Sequence, residues 1–215
     1  MGRFGASGAS GSLAERAFWL GCPRRRPVYE ERRLETEMTD PILPGRNCGT
    51  CALCCRVMEI TEIAKPQGVW CPNCKPGVGC KIYHERPGEC RSFYCGYLTM
   101  RGVGEEWKPE RSRIVITLDQ QGRLTAHVDL TRPNAWKQQP YYGKLKEWAI
   151  AALPKNKLVI VRLGTRMYVI LPDRDVDLGL MTPEDRILTR RTETPMGPRW
   201  EVFKAGDELA SASRA

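Results

Sequence analysis

The chain has 215 residues, of which 41% are hydrophobic and 27% charged, and a formal net charge of +9 at pH 7. These proportions are typical of a soluble globular protein. No apolar run is long enough to span a membrane and no segment has the form of a signal peptide, which argues against membrane insertion and export. We therefore expect a cytoplasmic protein with reduced cysteines, a setting in which clustered cysteines indicate metal or redox chemistry.

The positive charge is weak evidence for a nucleic-acid partner. Nine of the ten cysteines lie between Cys48 and Cys95, and nine thiolates would bring the charge from +9 to 0 before bound cations raised it again. A metal ion is therefore the favoured partner and nucleic acid a less favoured one. A partner protein is left open.

Residues 1–37 differ in composition from the rest of the chain. The first part is rich in Gly, Ala and Ser, and no apolar period of 2 or 3.6 residues follows it. This composition predicts a disordered leader, in which Cys22 takes no part in a site. Met38 begins a run that suits a natural start, so translation from Met38 is the alternative to translation from Met1.

Residues 38–100 are predicted to form a cysteine-cluster metal-binding domain. Four cysteines stand in the octapeptide CGTCALCC that begins at Cys48. At about 100° per residue they occupy an arc of roughly 120°, so one helical face, or a knuckle leading into a helix, presents all four. The many Gly and Pro residues that follow predict loops with little buried apolar surface. Metal ligation would have to stabilise such a segment.

Residues 101–206 carry the patterns of a small antiparallel sheet with one main helix. Alternating apolar residues predict hairpins over 113–129 and 157–171, and a third around Pro195. Residues 141–153 have apolar residues near helical spacing and stop at Pro154. Residues 207–215 are predicted to be a tail. The fold class is α+β, with the metal-held segment in front of the sheet and the 101–206 region packed on it.

The cysteine spacing fits more than one kind of metal site. Cys48-x-x-Cys51 and Cys71-x-x-Cys74 fit a four-cysteine zinc site, and Cys51-x-x-Cys54 with Cys71-x-x-Cys74 fits one equally well. Tetrahedral sulfur ligation suits zinc and iron–sulfur clusters alike, so the ligands do not choose between them.

The same octapeptide also has the form of a ferredoxin-type run. Cys48-x-x-Cys51-x-x-Cys54 needs a fourth thiolate from elsewhere in the chain. The thiols available for that position are Cys80, Cys90 and Cys95. With nine cysteines and four ligands to a site, one or two centres are expected, of zinc or iron–sulfur.

Two blocks of sequence carry a resemblance to a known family. The first is the octapeptide, and the second, more diagnostic, is GCKIYHERPGECRSF from Gly79 to Phe93, with Cys71 between them. This order is similar to the CxxCxxCC family, also called the YkgJ-type zinc- or iron-chelating domain, over about residues 47–98. The resemblance implies the ligand set Cys48, Cys51, Cys54, Cys55, Cys71, Cys80 and Cys90. It makes Cys95 an additional thiol found in some members and leaves Cys74 outside the pattern.

The chain departs from the family at two positions. Ala52 stands where the family often has Gly, and His84 where it often has Glu, which replaces a carboxylate with a nitrogen ligand candidate. Arg86 and Arg91 are expected to bind the cofactor indirectly, because guanidinium groups offset the negative charge of thiolates and donate hydrogen bonds to sulfur. His127 alternates with apolar residues on a predicted strand and is expected to be a packed or solvent-facing histidine, not a ligand.

Three functions follow from these features. The first is a metal-binding protein with a structural or redox centre. The second is a modification or electron-transfer enzyme, because the flagellin lysine methylases carry a similar cysteine block. The third is a zinc-ribbon-like module that binds nucleic acid. Whether the chain is an enzyme stays open, since no glycine-rich nucleotide fingerprint, His-Glu-x-x-His motif or nucleophile–base pair is visible.

Overall fold

The computed structural model describes residues 42–207, which belong to one compact unit that begins at Asp40. The predictions of a leader over 1–37 with Cys22 and of a start at Met38 lie outside the described residues, as does the predicted tail over 207–215 apart from Asp207. Within residues 42–207 the fold is a mixture of helices and sheets, which confirms the α+β class.

Helices are few in this part of the chain, and only one has more than two turns. That helix is α5, Tyr141–Ala152, which buries Leu145 and Ala149, one turn apart, against the sheet and ends before Pro154. The short α-helices are α1 (Cys54–Val57), α2 (Gly88–Ser92), α3 (Gly96–Thr99) and α4 (Pro109–Ser112). Single 3-10 turns occur at Thr61–Ile63, Tyr83–Glu85, Glu105–Trp107, Ala135–Lys137 and Leu153–Lys155. No helix between residues 42 and 207 is both long and apolar enough to cross a bilayer.

The strands of residues 42–207 form one five-stranded sheet and two hairpins. The sheet has the order β3-β4-β5-β6-β7, and β1-β2 and β8-β9 pair separately. The bounds are β1 Cys74–Lys75, β2 Gly79–Cys80, β3 Ile114–Leu118, β4 Leu124–Val128, β5 Val159–Leu163, β6 Arg166–Ile170, β7 Asp175–Leu180, β8 Ile187–Thr194 and β9 Gly197–Lys204.

The prediction of a purely antiparallel sheet is wrong at one pair. Strands β4 and β5 run parallel, with Leu124 opposite Val159, whereas every other neighbouring pair is antiparallel. The cause is α5, which carries the chain back to the starting end of β4 as a crossover helix does. Strand β7 had not been predicted, although Val176 and Leu178 alternate with polar residues along it.

The cysteine-rich segment and the sheet share one core. Leu53, Val57, Tyr97 and Leu98 are buried with residues of β3, β4 and α5. The expectation of little apolar burial over 47–98 is therefore wrong at both ends of that segment, where the partners come from the sheet. In the middle of the segment little apolar surface is buried, because the buried apolar residues between 60 and 92 are only Ile60, Cys71 and Cys74.

A buried carboxylate joins the cysteine-rich segment to the sheet. Asp129, which follows β4, is fully buried, and its two oxygens face Arg56 at 3.5 Å and Arg113 at 3.7 Å. Arg56 belongs to α1 and directly follows Cys55. The ion pair therefore holds the helix that carries two cysteines against the end of a central strand.

Candidate metal centre

Eight cysteine side chains line a single cavity of about 340 Å³. All nine cysteines between residues 42 and 207 are free thiols, and Cys74 is the one that does not line this space. The eight are Cys48, Cys51, Cys54, Cys55, Cys71, Cys80, Cys90 and Cys95. The structure thus places around one space the seven thiols that the family resemblance implies as ligands, together with Cys95, but not Cys74 of the zinc-ribbon pairings. These eight thiols come from four separate stretches of chain.

The octapeptide forms a knuckle that leads into a helix, not one continuous helix. The Cys51 amide donates to the Cys48 carbonyl at 2.9 Å, and helix α1 begins only at Cys54. Gly49 adopts a φ of 51°, which favours glycine and turns the chain before the helix. Of the two arrangements predicted from the spacing, the knuckle is therefore the one that forms, with Cys54 and Cys55 in the first turn of α1.

The next cysteines are held by main-chain hydrogen bonds to α1 and by a small hairpin. The Cys71 amide donates to the Cys55 carbonyl at 2.9 Å, so the backbone at Cys71 lies directly against the backbone at Cys55. Strands β1 and β2 then pair Cys74 with Cys80. Cys80 lines the cavity, whereas Cys74 is buried in a small cluster with Ala52 and Cys71.

A reciprocal pair of carboxylates fixes the position of helix α2, which carries Cys90. The Glu62 carboxylate accepts from the Gly88 and Glu89 amides at 2.9 and 2.6 Å, and the Glu89 carboxylate accepts from the Thr61 amide at 2.8 Å and from its hydroxyl group. These bonds satisfy amides at the start of α2. Sequence reasoning missed this clamp because its members are 26 to 28 residues apart.

Burial raises the pKa of several cavity thiols. It is the main cause that raises the pKa of Cys48, Cys51, Cys90 and Cys95 above the ordinary value of 9.0. The pKa of Cys55 is raised first by a hydrogen bond with Cys54 and then by burial. Since the thiolate is the metal ligand, a bound cation would have to lower these pKa values and release protons.

The thiols fall into two neighbourhoods. Negative charge on Cys55, Cys71 or Cys80 raises the pKa of Cys90, after burial, and the same three thiols act on Cys74. Charge on Cys48 and Cys51 instead raises the pKa of Cys95. Cys54 adjoins both groups, because it precedes Cys55 in α1. The two neighbourhoods meet at Cys54 and Cys55, because Cys54 is hydrogen-bonded to Cys55 and Cys55 also raises the pKa of Cys48. For reference, we call Cys55, Cys71, Cys80 and Cys90 the inner group and Cys48, Cys51, Cys54 and Cys95 the outer group.

A buried lysine lies beside the inner group. Lys65 is only 3% exposed, and its ammonium group donates to the carbonyl of Arg56 at 3.0 Å and to that of Met58. Burial lowers its pKa, and the nearby Cys55 and Cys71 oppose this effect. Lys65 was not predicted from the sequence, because a lysine between Ala64 and Pro66 has no pattern that separates it from a solvated one.

The two predicted arginines occupy different places. Arg86 lines the cavity, stacks over the Tyr83 ring with its guanidinium carbon 4.1 Å from the ring centre, and acts to lower the pKa of Cys48 and Cys90. Arg91 is exposed on α2 and does not line the cavity. Arg86 is therefore the arginine placed to offset thiolate charge.

The two histidines do not line the cavity. His84 is exposed and meets the Tyr83 ring edge-on at 5.7 Å. His127 is 8% exposed, and one ring nitrogen lies 3.0 Å from the Thr117 hydroxyl while the other, Nδ1, has no partner. Burial lowers the pKa of His127 to about 4, with Arg162 as the second cause. Of the two states that the strand pattern allows, packed or solvent-facing, His127 is thus in the packed one.

The donor set fits a thiolate-bound metal by its chemistry, but the geometry is not that of a preformed single-ion site. Within residues 42–207, no three Cys, His, Asp or Glu side chains are gathered closely enough to hold one ion. The thiols surround a space instead of meeting at a point. Thiolate is nevertheless the preferred ligand of structural zinc and of iron–sulfur clusters, and eight thiols supply two sets of four.

No protein-family model, curated protein or solved structure matches the chain.

Proposed function

We propose that the protein binds zinc or iron–sulfur centres through the cysteines of this cavity, with a structural or redox role. The observation that carries the proposal is the convergence of eight thiols from four stretches of chain on one cavity of about 340 Å³. Cysteines that only fill a core have no reason to face a common space. The resemblance to the CxxCxxCC family supports the same conclusion, and a reducing compartment such as the cytoplasm would keep the thiols available.

The charge around the cavity supports thiolate ligation. Four thiolates around one divalent ion leave a net negative charge, which is costly where solvent is excluded. Lys65 is buried beside the inner group, and Arg86 lines the cavity and acts to lower the pKa of Cys48 and Cys90. These two cations would offset that charge and orient the sulfur atoms.

We further propose two centres, one in each group of thiols. The inner group supplies four sulfur ligands, and the outer group supplies another four, which is the usual number for zinc and for a cubane cluster. Because the thiols are not gathered at one point in the described structure, binding would draw each group inward. Metal binding would then be coupled to ordering of the surrounding loops.

Metal analysis of protein purified without oxygen tests the proposal. We expect bound zinc, or iron together with acid-labile sulfide and a visible absorption band, and full protection of the eight cavity thiols from alkylation. Protein that carries no metal above background, even after reconstitution with either metal, and whose thiols all react freely, would contradict it.

Paired variants test the number of centres. Cys80→Ser/Cys90→Ser removes two ligands of the inner group, and Cys48→Ser/Cys95→Ser removes two of the outer group. Two centres predict that each pair lowers the metal content by about half, since four thiolates complete one site. Complete loss of metal in both pairs would indicate a single shared centre, and no loss in either would remove the cavity as the site.

A further inference from the structure

A second concavity lies on the side of the sheet where α4 leads into β3. This cleft, which we call the arginine cleft, has a volume of about 470 Å³. It is formed by the end of α4, the turn into β3 and the turn that follows β4. Its charged lining residues are Glu110, Arg111, Arg113 and Arg132, and Asn134 and Gln138 add amide groups. None of these residues belongs to the thiol groups described above.

The charge of the arginine cleft is positive after its internal pairs are counted. Glu110 is paired with Lys108 at 3.0 Å, and that hydrogen bond is the main cause that lowers the pKa of Glu110. Arg113 faces Asp129, which Arg56 also faces. In the part of the chain from 42 to 207, neither Arg111 nor Arg132 forms an ion pair with a carboxylate. Arg111 acts on Glu110 only as the last of the causes that lower the Glu110 pKa. Two guanidinium charges in this cleft are therefore left without a close counter-ion from these residues.

Hydrogen bonds from a serine side chain and from the main chain hold the turn that carries Arg113 in place. The Ser112 hydroxyl group, which is buried, accepts from the Ile114 amide at 3.1 Å and donates to the Trp107 carbonyl at 3.2 Å. Arg113 adopts a φ of 61°, a conformation that few arginines adopt and that the Asp129 amide stabilises by donating to the Arg113 carbonyl at 2.9 Å.

The second turn is fixed by the same aspartate. The Arg132 amide donates to the Asp129 carbonyl at 2.8 Å, and the Asp129 carboxylate accepts from the Thr131 amide at 3.0 Å. The guanidinium groups of the arginine cleft therefore extend from two rigid turns. A ligand that binds there has to order the exposed arginine side chains but not the backbone that carries them.

We propose that the arginine cleft binds the phosphate group of a small phosphorylated molecule. Planar guanidinium groups donate two parallel hydrogen bonds to a phosphate, and a cleft of this volume is in the range of small-molecule sites. A nucleic acid would instead call for a basic stripe along an open face. Phosphate binding in this cleft does not depend on metal binding. Glu110 nevertheless borders both sites: a hydrogen bond from its backbone lowers the pKa of Cys51, and its carboxylate accepts from the Thr50 hydroxyl group at 3.3 Å.

Titration with inorganic phosphate, at an ionic strength held constant with chloride, tests the proposal. The variant Arg111→Ala/Arg132→Ala should weaken phosphate binding about tenfold or more, because it removes two charge-assisted donors. The matched control is Arg101→Ala/Arg199→Ala, which removes the same charge from exposed positions outside the cleft. We expect the control to bind phosphate as the wild type does.

Several results would overturn the proposal. One is that the wild-type protein does not bind phosphate in preference to chloride. Another is that the control pair weakens phosphate binding as much as the variant Arg111→Ala/Arg132→Ala does. A short single-stranded oligonucleotide that binds far more tightly than phosphate, with a steep salt dependence, would assign the cleft to nucleic acid instead. If the alanine pair does not fold, Arg111→Lys/Arg132→Lys serves in its place. It keeps the charge but loses the forked geometry, so phosphate binding should still weaken, and unchanged binding would contradict the proposal.

Discussion

Cys74 separates two interpretations of the cysteine spacing at the level of single residues. The zinc-ribbon pairings require Cys74 as a ligand, whereas the cavity is lined by Cys80 and Cys90 and not by Cys74. Cys74 is instead buried, and its pKa is raised to about 12 by burial and by the neighbouring Cys55. These features describe a packed thiol behind the inner group.

We predict that Cys74→Ser retains the metal content of the wild type, whereas Cys80→Ser and Cys90→Ser each lower it. Loss of one thiolate leaves the ion under-coordinated and the remaining charges poorly compensated, so the free energy of unfolding should fall by several kcal/mol, roughly as for other lost metal sites. Metal analysis and denaturant titration measure both effects. If Cys74→Ser lost metal and the other two did not, the zinc-ribbon pairing would be correct.

His127 gives the fold a dependence on pH that can be assigned to one residue. Its folded pKa of about 4 lies below the ordinary 6.5, because burial disfavours the charged ring and Arg162 adds repulsion. The unfolded chain therefore takes up the proton first as the pH falls. The stabilisation is complete above about pH 6.5 and is lost progressively toward pH 4, with a full range on the order of 3 kcal/mol.

We expect His127→Gln to weaken this acid-side loss of stability. Denaturant titrations from pH 7.5 down to pH 5 on wild type and variant measure it, and the protonation of metal-bound thiolates acts equally on both. His84→Gln is the matched control, because that ring is exposed. Parallel curves for wild type and His127→Gln would show that His127 does not titrate with folding.

At the scale of elements, the close approach of α3 to β3 sets where Cys95 enters the cavity. Gly96 follows Cys95, and a Cβ atom at Gly96 would lie 2.8 Å from a methyl carbon of Ile116 and 2.9 Å from its Cβ. The Ile116 side chain branches at its Cβ atom, next to the strand backbone, and is nearly fully buried. It therefore has little freedom to move away.

We predict that Gly96→Ala lowers the free energy of unfolding by about 1–3 kcal/mol, as overpacking of a core does. Gly102→Ala is the control, because nothing lies within 4 Å of the position of its Cβ, and its effect should stay within about 0.5 kcal/mol. Denaturant titration of both variants measures the difference. Equal stabilities would mean that α3 and β3 are not in this close contact.

We expect the loops between α1 and α3 to be the elements that depend most on metal. Between residues 60 and 92 only three apolar side chains are buried, so the hydrophobic contribution to their folding is small. A structural zinc site contributes about 10–16 kcal/mol in small zinc modules at neutral pH. Metal ligation would therefore supply much of the free energy that orders these loops.

Chelation followed by limited proteolysis tests this dependence. We expect new cleavage sites within residues 60–92 after metal removal, while the sheet from β3 to β6 stays protected. Mass spectrometry of the fragments locates the sites. An unchanged cleavage pattern after complete removal of metal would show that the loops are ordered by protein contacts alone.

At the scale of the whole molecule, the sequence predicts part of the architecture and the tertiary contacts decide the rest. Alternation and turn residues predict both central hairpins and α5, because these patterns are local. The parallel pairing of β4 with β5 depends on where α5 packs, which no local pattern states. The thiols that the family resemblance implies as ligands line the cavity together with Cys95, whereas the spacing alone also allows Cys74, which does not line it. Lys65 lies beside the thiols only through contacts with Arg56 and Met58, which no sequence pattern states.

The shared core makes the cysteine cavity part of the same folded unit as the sheet. Leu53 and Leu98, on either side of the cavity-lining loops, are buried with sheet residues, and Arg56 is paired with Asp129. The two ends of the cysteine-rich segment are thus anchored without metal. Metal binding is then expected to order the middle of that segment on an existing scaffold, so the sheet should remain folded in metal-free protein.

X-ray absorption spectroscopy at the edge of the bound metal tests the central claim most directly, because it reports which atoms surround the metal. For protein purified without oxygen, we predict a first shell of sulfur only, at about 2.3 Å if the metal is zinc. The same shell should persist in Cys74→Ser. A first shell of nitrogen or oxygen near 2.0–2.1 Å, or sulfur that disappears in Cys74→Ser and persists in Cys80→Ser/Cys90→Ser, would contradict the assignment of the metal to this cavity.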